Sequence, residues 1–295
     1  MSITGWTRSF VCGHTAVLAL ACSGPSTSPS PSPIVPASGI LVGAGDIGQC
    51  GSAGPELTAR LLDNIAGTVF TTGDNAYFEG TAQQFLDCYH PSWGRHRSRT
   101  RPSPGNHDYQ SAGAAPYFAY FGSNAGPAGL GYYSFEVGPW HVVSLNSNIS
   151  MVEGSAQHAW LQADLQSNRP TCVAAYWHHP LFSVGKHSSR SEVRALWDTL
   201  YAAGADVVIN GDNHMYERFA PQTPDGAADQ ARGIRQFVAG TGGADLYQFT
   251  RAAPNNEMYA SMWGVLKLTL RPADYSWEFI GAQGQVVDSG TDVCR

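Results

Sequence analysis

Charge is scarce in this chain: 17 Lys and Arg and 23 Asp and Glu among 295 residues, for a formal net charge of −6. No basic stripe runs through it, which argues against a nucleic-acid partner. The one basic cluster, Arg95, Arg97, Arg99 and Arg101, alternates with Gly, His, Ser and Thr and reads as a solvated loop. No run of about 18 apolar residues follows the N-terminal segment, so the mature chain is expected to lack a membrane span. The cysteines lack zinc-finger spacing, and no Gly-x-Ser-x-Gly elbow marks a serine nucleophile. Apolar residues, in contrast, make up 43% of the chain. A chain of this length buries about 75% of its unfolded surface, so general disorder is excluded.

Residues 1–36 read as targeting sequence and not as fold. Arg8 is the only Lys, Arg, Asp or Glu up to residue 21, and the apolar stretch from Phe10 ends in Ala19-Leu20-Ala21-Cys22. Small residues before a cleavage point are the signal-peptide pattern, and Cys22 stands where a bacterial lipobox places its lipidated cysteine. The Ser/Pro tract of residues 23–33 reads as an extended tether. The expected division is a signal peptide over 1–22, a linker over 23–36 and one domain over 37–295, exported to the cell surface or beyond. Cys50, Cys88, Cys172 and Cys294 lie in that domain. An even number in an exported chain suggests disulfides, and four cysteines allow three connectivities that sequence does not separate. The expected pairing is Cys50–Cys88, stapling two loops, and Cys172–Cys294, tying the C-terminus to a core strand.

Along the domain, short apolar or β-branched runs end at polar residues and alternate with helical spacing. Strands are predicted over 39–45, 68–72, 132–137, 140–145, 171–177, 206–210, 236–239, 265–270 and 275–280. Helices are predicted over 55–65, 83–89, 155–167 and 191–203. This alternation argues for an α/β sandwich. The strands end at Asp46, Asp74, His178 and Asp212; a loop adds Asn106, His107 and Asp108, and His214 follows Asp212 closely. Ligands in open α/β folds sit beyond the carboxyl ends of strands. An oxygen and imidazole set without thiols suits Zn, Fe, Mn or Ni.

The ordered stretches Gly45-Asp46-Ile47-Gly48, Gly73-Asp74-Asn75-Ala76-Tyr77, Gly105-Asn106-His107-Asp108, His178-His179-Pro180 and Gly211-Asp212-Asn213-His214-Met215-Tyr216-Glu217-Arg218 resemble the calcineurin-like metallophosphoesterases. Tyr77 and the Tyr-Glu-Arg tail resemble their purple acid phosphatase branch. The resemblance implies a four-layer α/β/β/α sandwich of two mixed sheets flanked by helices. It further implies two metal ions per chain, iron with Zn, Mn or a second Fe. Asp46, Asp74, Tyr77 and His214 would hold one, and Asp74 would bridge to a second held also by Asn106, His178 and Asp212. Asp212 is a departure, because the family carries a His there. His107 would contact phosphate or protonate the leaving group, and His187 would bind substrate.

The implied reaction is direct hydrolysis of a small phosphate ester. Two ions neutralise the phosphate and acidify a water, and His107 supplies the opposite acid. A phosphomonoesterase is the first reading, a phosphodiesterase or nucleotidase the second, and a non-catalytic metal- or phosphate-binding surface protein the third. Bland roles are expected for the rest. His179 orients His178. Trp93, Trp140, Trp160, Trp177, Trp197 and Trp263 fill core, and His90, His96, His141 and His158 are structural or surface residues. Glu217 and Arg218 pair to brace the His214 loop, and segment 109–131 forms a substrate-side loop.

Overall fold

A computed structural model describes residue 10 and residues 38–168, 171–187 and 190–295. Apart from Phe10, the expected signal peptide with its lipobox and the whole linker over 23–36 lie outside the described residues. Every strand and helix described falls within the compact unit Val35–Arg295.

Among the described residues, thirteen strands form two mixed sheets. In the first, β1 (Gly39–Ala44), β2 (Thr68–Thr72) and β3 (Thr100–Ser103) run parallel, and β11 (Gly264–Leu270), β12 (Asp274–Gly281) and β13 (Val286–Val293) extend it antiparallel from β1. In the second, β5 (Trp140–Ser144), β6 (Val173–Tyr176), β7 (Val207–Asn210) and β9 (Arg235–Ala239) are parallel. Strand β4 (Tyr133–Val137) hairpins onto β5, while β8 (Tyr216–Phe219) and β10 (Asn256–Ala260) complete the far side. Parallel neighbours need crossovers. Helix α1 (Gly54–Asp63) joins β1 to β2. A short turn, α2 (Ala82–Gln84), continues as wider helix to Tyr89 on the way to β3, and α3 (Ala115–Phe121) follows β3. Helices α4 (Ala156–Asn168) and α5 (Arg194–Ala202) serve β5–β6 and β6–β7.

Alternation along each strand builds the layers. Leu41 and Phe70 face inward with Leu266, Leu268 and Phe279, meeting Val142, Tyr176, Ile209 and Phe237 of the other sheet. Val42 and Val69, one residue along, face outward onto Leu62, Trp93 and Tyr117. Val143, Val173 and Val208 likewise face Leu161, Leu196 and Trp197 of α4 and α5. Strands buried on both faces are continuous apolar runs, which is why they were legible. The architecture is the four-layer sandwich. Both expected disulfides are present, Cys50–Cys88 and Cys172–Cys294.

Three sequence readings are corrected. The arginine cluster is not a solvated loop: residues 93–99 are 3-10 helix and Arg101 lies in β3. Arg95 pairs with Glu56 and Asp63, and Arg99 caps the end of α1 and the turn after it by donating to the carbonyls of Leu62, Ile65 and Gly67. Segment 109–131 is not a free substrate-side loop, because it contains α3, whose Tyr117 and Phe121 are buried in the outer core. Glu217 and Arg218 do not pair. Successive residues of β8 point to opposite faces; Glu217 accepts from Ser183 Oγ and the Val184 N–H, while Arg218 pairs with Asp288 and Glu257.

The two sheets are joined where their parallel strands end. Gly45 N donates to Ala239 O at 2.8 Å, and His178 Nδ1 donates to Thr72 O at 2.8 Å. These links bring the carboxyl ends of β1, β2, β6, β7 and β9 to one place.

Candidate metal centre

Asp46, Asp74 and Asp212 each follow a strand with left-handed backbone, φ 59°, 50° and 66°. This region is sparsely populated for residues other than glycine and costs about 1–3 kcal/mol per residue. It turns each carboxylate back across its strand end. Little room is left for side chains nearby: a Cβ on Gly105 would overlap Asp74 Oδ1, and one on Gly211 would come within 2.6 Å of Asp46 Oδ2. Asp108 organises the loops from beneath, accepting from the Asn75 N–H, Asn75 Nδ2 and the Gly105 N–H. Burial, then the nearby Asp74 charge, pushes the Asp108 carboxyl up to about 6.

The convergent atoms form two sets that share one oxygen. Tyr77 Oη lies 2.9 Å from Asp46 Oδ1, 3.1 Å from Asp74 Oδ2 and 3.0 Å from His214 Nε2. His178 Nε2 lies 2.9 Å from Asn106 Oδ1, 3.4 Å from the same Asp74 Oδ2 and 3.7 Å from Asp212 Oδ1. Asp74 Oδ2 is therefore placed as a bridge, while Asp74 Oδ1 accepts from the His107 N–H at 2.8 Å.

These residues fit a pair of metal ions on three observations. First, His178 Nδ1 donates to Thr72 O, and His214 Nδ1 donates to Asp245 O at 2.6 Å, so the Nε2 of each ring faces the centre. An imidazole fixed through its other nitrogen is the usual form of a metal-ligating histidine. Second, the carboxylates of Asp46, Asp74 and Asp212 are at most 4% exposed. Their ionic partners among the described residues are histidines alone, and Asp212 Oδ2 is buried without any hydrogen-bond partner. Third, the pocket is electrostatically hungry for a cation. Burial alone would lower the proton affinity of His178, yet Asp74, Asp46 and Asp212 hold it well above its ordinary range. Burial, then Asp46 and Asp74, pushes the Tyr77 phenol up; an ion bound at its oxygen would reverse that. The sets Asp46–Asp74–His178 and His178–His179–Asp212 each bring potential ligand atoms within 4.8 Å of one another.

The remaining candidates line the mouth. His107 Nδ1 donates to Phe78 O at 2.6 Å, and its Nε2 lies 3.8 Å from Asp74 Oδ2. His187 Nδ1 is 3.8 Å from Asp212 Oδ1. Both side chains are about one-third exposed, 30% and 35%. His179 packs edge-on against His178, with Nδ1 2.8 Å from Ser147 Oγ. Burial, then the neighbouring His178 charge, pushes its imidazole down to about 3. His141 and His158 are buried and hydrogen-bonded away from the centre, His141 between Glu136 and Asp164.

Sequence reasoning missed Tyr247. Its ring stacks on His214 at 4.0 Å between centroids and 7° between planes, and its N–H donates to His214 O at 2.9 Å. His187 stacks on the same tyrosine at 5.4 Å, and Lys186 Nζ sits 4.6 Å from its ring centre. No motif marks Tyr247, which lies in a loop beyond the last strand-end signal.

A family model of the calcineurin-like phosphoesterases matches residues 41–216. Purple acid phosphatase 21 of Arabidopsis thaliana is 33% identical over 207 residues, which is 60% of this chain and 44% of that protein. Among solved structures, the purple acid phosphatase PPD1 from yellow lupin (Lupinus luteus) superposes with a TM-score of 0.76 at 20% identity, over 87% of this chain and 54% of that one. GAP50, the anchor in the inner membrane complex of Plasmodium, superposes with a TM-score of 0.70 at 11% identity, over 88% and 90%. At these identities the two superpositions speak to fold alone. The chain spans less than half the length of the curated relatives it matches.

Proposed function

The chain belongs to the calcineurin-like phosphoesterase family, and from that premise we propose that it is an exported, metal-dependent phosphomonoesterase resembling the purple acid phosphatases. The observation that carries this reading is Asp74 Oδ2, set between the Tyr77–Asp46–His214 atoms and the His178–Asn106–Asp212 atoms. Asp46, Asp74, Tyr77 and His214 would hold one ion, and Asp74, Asn106, His178 and Asp212 the other. When bound, such a pair neutralises phosphate oxygens and makes a water acidic enough to attack near neutral pH.

The protein's own groups supply the rest. The hydrogen bond from His107 Nδ1 to Phe78 O fixes the ring so that Nε2 faces the mouth. A proton on that Nε2 passes to the leaving oxygen of the ester, which otherwise departs as a poor alkoxide. His187, on the Asp212 side, is placed to donate to a phosphate oxygen. The rings of His187, Tyr247 and His214 stack in series, so Tyr247 holds both histidines in orientation.

Two disulfides suit an oxidising compartment, which supports export. We place the domain at the cell surface on a lipid-bearing Cys22, or free outside the cell, acting on a small phosphate ester with no nucleic-acid partner.

Elemental analysis and p-nitrophenyl phosphate hydrolysis, on the same sample as isolated, after chelation and after re-addition of Fe, Zn or Mn, test the function. Two ions per chain with metal-dependent turnover are expected. Turnover of bis-p-nitrophenyl phosphate above the monoester would replace monoesterase by diesterase. Metal binding without turnover of either would favour the non-catalytic reading, for which the Asp212 departure is the supporting observation.

A further inference from the structure

The Asp212 departure alters the donor chemistry of one half of the centre. Tyr77 Oη, Asp46 Oδ1, Asp74 Oδ2 and His214 Nε2 offer three oxygens and one nitrogen. Asp74 Oδ2, Asn106 Oδ1, Asp212 Oδ1 and His178 Nε2 offer the same count. A histidine at position 212 would have made the second set two oxygens and two nitrogens. Asp212 is also held in place. Its N–H donates to Asp46 Oδ2 at 3.1 Å, its side chain is 4% exposed, and its Oδ2 has no hydrogen-bond donor. Leaving a buried polar atom unpaired costs about 1–3 kcal/mol, and more for a charged one, so a carboxylate with no donor on Oδ2 calls for a cation to balance its charge, which an ion held at Oδ1 would supply.

Resting on the two-ion reading above, we propose that Asp212 makes the second position a hard-cation site matched to the first, so that its preference for zinc over oxygen-seeking ions such as manganese is smaller than a histidine at 212 would give. Carboxylate and amide oxygens suit Mn and Mg, whereas imidazole suits Zn, Cu and Ni. Asp212 also brings a third carboxylate to a pocket that holds no Lys or Arg partner among the described residues, which strengthens the hold on any cation. Because nitrogen and oxygen sites alike bind Zn more tightly than Mn in absolute terms, the quantity that changes is the ratio of the two metals bound.

The test is a metal competition with the full chain. Wild type, Asp212→His and Asp212→Asn are stripped with chelator and equilibrated against buffered Mn and Zn at equal free concentrations. Bound metal per chain is then counted by elemental analysis. Histidine tolerates left-handed backbone better than most residues, and Asp212→Asn keeps size and an oxygen donor if Asp212→His fails to fold. The expected result is a Zn:Mn ratio raised about tenfold or more by Asp212→His, the lower end of what changes around metal ligands produce. Asp212→Asn should weaken total binding and leave the ratio near that of wild type. Equal ratios in wild type and Asp212→His, with two ions bound, would overturn this proposal and leave the two-ion reading intact. Less than one ion of either kind in wild type would overturn both.

Discussion

Replacing Glu217 by Gln isolates a single buried carboxyl whose titration bears on the wall of the centre. Glu217 is 0% exposed, and its two oxygens accept from Ser183 Oγ at 2.7 Å and the Val184 N–H at 2.9 Å. It thus anchors the start of the segment that carries Lys186 and His187 over the mouth. Burial, only partly offset by those donors, pushes its carboxyl from 4.5 up to about 7. A folded value raised above the unfolded one means stability that is fully present below pH 4.5 and is lost as pH rises through about 7. At about 1.4 kcal/mol per pH unit, the loss between pH 5 and pH 8.5 amounts to about 3 kcal/mol. Glutamine does not titrate. Whatever fixed cost Glu217→Gln carries from its amide facing two donors, the variant should gain about 3 kcal/mol on wild type between the two pH values. Urea unfolding of both proteins at pH 5 and pH 8.5, with chelator present so that metal binding does not titrate, measures this difference. A wild-type-to-variant gap that stays constant within about 0.5 kcal/mol, ordinary extrapolation error for such curves, would refute the reasoning. It would mean that the segment around Ser183 opens to water and that Glu217 ionises without cost.

Three further outcomes are expected. Tyr77→Phe removes the oxygen that lies within 3.1 Å of Asp46, Asp74 and His214; the iron-loaded variant should lose visible absorption and bind one ion more weakly, and unchanged absorption would place the phenol outside the coordination. His107→Gln should lower kcat for an alkyl phosphate by about 10²–10⁴ while sparing p-nitrophenyl phosphate, whose leaving group needs little protonation; an equal loss on both substrates would contradict the acid role. Replacing Cys172 and Cys294 together by Ala opens a cross-link spanning 122 residues, worth about 5 kcal/mol on the chain-entropy model, and should lower the melting temperature by more than about 10 °C; a shift of only a few degrees would mean the C-terminal strand is held by β12 pairing alone.

The strand-end aspartates were legible because three local signals coincide at each. An apolar run stops, a glycine permits a tight turn, and a polar residue that tolerates left-handed backbone follows. Asp46, Asp74 and Asp212 all fit that description and all converge. The double-faced burial of β1, β2, β6 and β7 was legible for a similar reason, as unbroken runs of mostly apolar or β-branched residues. The arginine cluster misled because alternation with small polar residues looks the same whether the arginines face water or, like Arg99, satisfy the end of a helix. Segment 109–131 misled because its glycines and alanines dilute the Tyr117–Phe121 stretch that α3 buries.

The sequence by itself determined which residues are chemically able to hold ions, the order in which strands present them, and the two-layered apolar patterning that requires a sandwich. Those properties are local: period, glycine placement and donor type are written within a few residues of each site. Tertiary structure alone decided that one oxygen of Asp74 serves both sets, that His178 and His214 turn their Nε2 atoms inward, and that Tyr247 stacks on His214. Each of these depends on where the end of one sheet meets the end of the other. Thr72 O fixes His178 only because β2 and β6 terminate side by side, and Asp245 O fixes His214 only because the loop after β9 folds back across β1. Contacts between segments so far apart in sequence leave no period or spacing to read, because they exist only once both sheets have closed on a common core.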